Sequence, residues 1–100
     1  MHRKVVISKT AEKKLEKLFD YLLQEWSHKV QLNFIKKLDL TIKIIKEQPE
    51  IFPESQKIKG LRKCVVTKQT ILYYRFDHHK IIVVTVFDTR QHPKKLKKDL

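Results

Sequence analysis

Apolar residues recur along this chain with two different periods, and the change of period divides it. Residues 3–7 (RKVVI) form a short β-branched run that ends at Ser8, which reads as a strand followed by a helix N-cap. Ala11, Leu15, Leu18, Phe19, Leu22 and Trp26 then fall at helical spacing with Lys, Glu and Asp between them. Ser27 and His28 interrupt that stripe, and a second one follows through Val30, Phe34, Ile35, Leu38, Ile42 and Ile45 to Pro49. Both stripes are expected to be core. Two amphipathic helices separated by so short a break predict an antiparallel hairpin.

Residues 49–60 read as a connector, with Pro53 inside it and Gly60 at its end. Beyond it the period shortens to that of strands: 61–67, a tight turn at Lys68 and Gln69, 70–77, a second turn at His78 and His79, and 81–87. In the middle strand Leu72, Tyr74 and Phe76 share one face, the better core candidate, while Ile71, Tyr73 and Arg75 share the other. Ile81 to Val84 are apolar on both sides, which suits an interior strand. The expected fold is therefore α+β in two layers: an N-terminal strand, a helical hairpin, then a three-stranded antiparallel meander with one face on the hairpin. At 100 residues the chain is read as a single domain, 1–100, with 93–100 as a flexible basic tail.

Charge adds a constraint on partners. Twenty-three Lys plus Arg against eleven Asp plus Glu give +12 at pH 7. An excess of that size favours nucleic acid, an anionic membrane or an acidic protein. Arginines are few, and Arg62, Arg75 and Arg90 all fall in the last forty residues, on or beside strands. Arginines from adjacent strands are expected to converge on the open sheet face, where planar donor forks suit phosphate. For Arg75 the competing structural role is an ion pair with Asp77 or Asp88.

Several chemistries are excluded. One glycine leaves no phosphate-cradling loop of the GxGxxG or P-loop kind. Cys64 stands alone in an apolar strand and reads as a small buried hydrophobe. No His, Cys, Asp and Glu grouping has metal spacing, so neither metal nor cofactor is expected. With no apolar run approaching membrane length, the reading is a soluble cytoplasmic protein without a membrane partner. What remains is metal-free attack of an RNA 2′-hydroxyl on its own phosphodiester. Arg62, Arg75 and Arg90 would stabilise the charge, and His92 would serve as acid or base. Lys57, Lys59, Lys63, Lys94 and Lys95 would seat RNA phosphates.

The segments Leu61-Arg62, Tyr73-Tyr74-Arg75-Phe76 and Phe87-Asp88-Thr89-Arg90-Gln91-His92-Pro93, with Ser8-Lys9-Thr10-Ala11 at the first helix, resemble the RelE/ParE toxins of type II toxin–antitoxin modules. The resemblance implies a growth-inhibiting toxin held silent by a cognate antitoxin. RelE-like members enter the ribosomal A site and cut mRNA, whereas ParE-like members share the fold and inhibit DNA gyrase. By position Arg62 and Arg90 match arginines of the RelE-like enzymes, and Lys57 and Lys59 lie where that branch keeps basic residues. The aromatic or His-Tyr pair near the C-terminus of several RelE-like nucleases is missing, so His92 would have to replace it. The retained arginines and the large charge favour a ribosome-dependent mRNA endonuclease, with gyrase inhibition as the alternative. A non-enzymatic module binding nucleic acid and antitoxin is a third reading.

Overall fold

Ser8 shows how the first strand and first helix are joined. Its hydroxyl accepts from the Ala11 amide at 3.0 Å, capping the helix, and donates to the Val84 carbonyl at 2.6 Å. In the computed structural model, which describes residues 3–56 and 58–90, β1 (Lys4–Ile7) thereby ends where α1 (Lys9–Glu25) begins. Ser27 repeats the cap for α2 (His28–Glu47), accepting from the Val30 amide at 3.2 Å. Pro49 follows the C-cap Gln48, whose φ of −139° and ψ of 70° have already left the helical region that a following proline disfavours.

The strands β2 (Arg62–Thr67), β3 (Thr70–Phe76) and β4 (Lys80–Asp88) form the expected antiparallel meander. The first strand joins it. β1 pairs parallel with β4, giving one mixed sheet in the order β1-β4-β3-β2. The helical hairpin is a crossover long enough to return the chain in parallel. It makes β4 interior, as its two-sided apolar character predicts.

Ala11, Leu15, Phe34, Leu38 and Ile45 of the helices pack on Cys64, Leu72, Tyr74, Ile81, Val83 and Val86 of the sheet. Phe19 meets Phe34 edge-on at 6.1 Å. Three members of the expected stripes lie outside this core. Trp26 is 66 % exposed, and Val30 and Ile35 are also exposed. Trp26 is the C-cap, so the helix ends before carrying its ring inward. Val30 and Ile35 sit on the flanks of an arc centred on Phe34, Leu38 and Ile45, beyond the width of sheet that α2 covers.

A β-bulge shapes the other face. Tyr73 pairs with Thr85 but Tyr74 pairs with Val83, so Val84 is an extra residue in β4. Ile81 and Val83 point to the helices before the bulge, and Val86 does so after it. The reversed phase brings Phe87 to the far face, where it clusters with Leu61 and Tyr73 beside Ile58, Ile71 and Val84. The face expected to stay open thus has a small second core, roofed by the end of the connector.

Burial has a consequence at alkaline pH. The Cys64 thiol is pushed up from 9.0 to about 11, and the Tyr74 hydroxyl from 10.0 to about 12, both chiefly by desolvation. In the unfolded chain these groups release their protons first, so stability is complete below pH 9.0 and falls as pH rises toward those folded-state values. The melting temperature is expected to drop from about pH 8 to about pH 11, and less steeply in Cys64→Ala. A flat profile across that window would count against the burial of both groups.

Candidate functional site

Strand register separates the arginines. Arg62 pairs with Tyr74 and Cys64 with Leu72, so Arg62 lies on the helix side of the sheet. Its Nη1 donates to the carbonyls of Glu50 at 3.0 Å and Phe52 at 2.6 Å. Its guanidinium stands 5.4 Å from the centre of the Phe76 ring, and Nη2 is 3.9 Å from a Glu54 carboxylate oxygen. Only 20 % of the side chain is exposed. Arg62 ties the connector to the sheet, which corrects the expectation that it faces outward with the other two.

Arg3 is a residue the sequence reading did not single out. It donates to the Asp77 carbonyl at 2.8 Å and lies 5.5 Å from the same Phe76 ring. Two guanidiniums on one aromatic ring link the start of β1, the end of β3 and the start of β2. The sequence signal was an arginine beside the first strand, but nothing in it gave the ring as its partner.

Arg90 lies past the far end of β4. Its Nε and Nη2 donate to the Asp88 carboxylate at 3.0 and 2.8 Å, and its amide donates there too at 2.9 Å. The Arg90 side-chain bonds hold the Asp88 carboxyl below the usual carboxylate range. In return the carboxylate raises the Arg90 pKa. Asp77 is occupied by the β3–β4 turn, where one oxygen accepts from the amides of His79 at 2.8 Å and Lys80 at 2.9 Å. Neither acid pairs with Arg75.

Arg75 alone of the three emerges on the far face, near the end of β3, exposed and opposite Ile82. Beside it the chain turns through Gly60, whose φ of 83° disfavours any residue with a Cβ. Lys63 is on this face opposite Tyr73, and Lys59 is exposed in the turn before Gly60. Lys57, His92, Lys94 and Lys95 lie outside the described residues. Arg62, Arg75 and Arg90 therefore stand at three separate places, on two sides and one end of the sheet.

The fold and this disposition can be compared with known proteins. A model of the family described as the ParE toxin of the type II toxin–antitoxin system parDE matches residues 5–93. The chain belongs to the ParE toxin family. As such it is a type II toxin of the ParE/RelE superfamily, in keeping with the resemblance in its strand and arginine segments. Among curated proteins no sequence matches. Solved structures agree on the fold of this ParE-family chain. A chromosomal ParDE system from P. aeruginosa superposes with a TM-score of 0.73 at 10 % identity, covering 87 % of this chain and 96 % of that one. A DinJ–YafQ toxin–antitoxin complex of E. coli gives 0.64 at 14 % identity over 90 % and 96 %. A YoeB dimer from Staphylococcus aureus gives 0.63 at 15 % identity over 87 % and 97 %.

Proposed function

We propose that this ParE-family toxin acts by inhibiting DNA gyrase rather than by cutting mRNA. The observation that carries the reading is the separation of the arginines. Metal-free phosphodiester cleavage needs several donors arranged around one phosphate. Here the Arg62 guanidinium is bonded to the connector and that of Arg90 to Asp88, leaving Arg75 with neighbouring lysines. Such a face is suited to binding and has no second arginine to share a transition-state charge. The family match supports the same choice, since the resemblance assigns gyrase to the ParE branch.

The antitoxin partner belongs to this reading. Leu40 and Ile44 are exposed one turn apart on α2, and they offer apolar anchors to a segment that folds on contact. An acidic segment would also be steered by the charge of +12.

Purified toxin added to gyrase and relaxed plasmid is expected to block supercoiling, and its cognate antitoxin to restore it. In parallel, stalled ribosomes programmed with a defined mRNA are expected to yield no new 5′ ends. Ribosome-dependent cuts at the A-site codon, with supercoiling unaffected, would overturn the proposal in favour of the nuclease.

A further inference from the structure

The far face of the sheet carries an unbalanced line of charge. Val5 packs into the helix-side core, so its neighbour Lys4 points to the opposite face, as does Lys80 beside buried Ile81. Lys4 and Lys80 are direct register partners on adjacent parallel strands. Like charges placed side by side on a sheet destabilise it. Arg75 and Lys63 continue the line across β3 and β2. No ion pair joins any of these four to a described residue. Among the described residues the only acid in a strand is Asp88, at the far end and bonded to Arg90, and Asp77, in the turn beside Lys80, has one carboxylate oxygen taken by the amides of His79 and Lys80. In α1 and α2, by contrast, Glu12, Glu16, Asp20, Glu25, Asp39 and Glu47 are interspersed with the lysines.

We propose that this face binds the phosphate backbone of duplex DNA through Lys4, Lys80, Arg75 and Lys63. The line runs diagonally for about 19 Å, from about 4.8 Å between strands and about 3.3 Å per residue along them. That length matches five to six base pairs at about 3.4 Å each. A duplex fits better than a single strand because, among the described residues, the face has no stacking platform. Its aromatics, Tyr73 and Phe87, are each only 7 % exposed under Leu61 and Ile58. Binding of single strands depends on exposed rings. Trp26 and Tyr21, the exposed aromatics of the hairpin, lie on α1 and its C-cap. This activity goes beyond gyrase inhibition, because it belongs to the toxin alone, although an enzyme that holds duplex DNA would present the same ligand.

The test measures anisotropy of a labelled DNA duplex with the full chain across a salt series, without gyrase. Weak, sequence-independent affinity in the range of about 10⁻⁴ to 10⁻⁶ M is expected. Lys63→Ala/Arg75→Ala/Lys80→Ala should make the slope of log affinity against log salt shallower by about 2.7, at about 0.9 per phosphate contact. Lys13→Ala/Lys17→Ala/Lys36→Ala removes the same charge from exposed helix positions and should leave the slope nearly unchanged. Circular dichroism confirms that both variants are folded. Equal losses in the two variants would reduce the effect to diffuse net charge and overturn the proposal. Tighter binding of a single-stranded RNA of equal length would overturn it as well. Neither outcome depends on whether the toxin inhibits gyrase.

Discussion

Tyr74→Ala is expected to cost about 3–5 kcal/mol, the range for removing a buried aromatic side chain. Against a typical domain stability of about 5–15 kcal/mol, that is enough to leave the chain largely unfolded at physiological temperature. Tyr74 is fully buried between the sheet and the helical hairpin, and Phe52 meets it edge-on at 6.4 Å. Its hydroxyl donates to the Pro49 carbonyl at 2.5 Å, across the point where α2 gives way to the connector. The residue therefore fills the core and fixes where the chain leaves the helix. Tyr74→Phe separates the two roles. It keeps the ring but strands a buried carbonyl, a loss of about 1–3 kcal/mol. Thermal melts of both variants check the prediction, and a Tyr74→Phe protein as stable as the parent would show that the hydroxyl bond contributes nothing.

Arg62→Ala is expected to lower stability by about 2–3 kcal/mol, as for loss of a charged group's hydrogen bonds to backbone. At about 4–8 °C per kcal/mol for a domain of this size, the melting temperature falls by ~10 °C or more. The Glu54 contact adds little at 3.9 Å and half exposed. Most of the effect comes from the carbonyls of Glu50 and Phe52, left without their donor, and from the lost face of Phe76. Arg62→Lys should recover only part of it, because an ammonium cannot reproduce the planar fork. Arg75→Ala, by contrast, should shift the melt by less than about 0.5 kcal/mol, as an exposed substitution. A toxin that loses activity in Arg62→Ala at an unchanged melting temperature would restore that arginine to a direct functional role.

These two residues show where the sequence was informative and where it was not. Tyr74 is legible as core, since alternation in β3 groups it with Leu72 and Phe76, and the structure places all three toward the helices. Arg62 sits in the same alternation, yet a polar residue at an inward position reads as a reason to turn the strand over. What turns it back is the chain of Glu50 and Phe52, distant enough in sequence that only the folded connector presents their carbonyls to a guanidinium. Trp26 fails in the opposite sense. Its spacing continues the α1 stripe, but the helix stops one residue earlier.

Local physics settled the element order, the Ser8 cap, the stop before Pro49, the two strand turns and the interior character of β4, because each depends on residues within a turn or two. Composition settled the net positive charge of the chain. Only tertiary structure decided three further things. The parallel seat of β1 beside β4 closes the sheet through contacts more than seventy residues apart. The bulge at Val84 reverses the phase of β4 and brings Phe87 under the connector. And the partners of the arginines follow from that closure: carbonyls and an aromatic ring for Arg62, a carboxylate for Arg90 and open solvent for Arg75. A guanidinium has the same donors in every case. Which acceptors reach it is set by long-range packing, and that is absent from the pattern of residues along the chain.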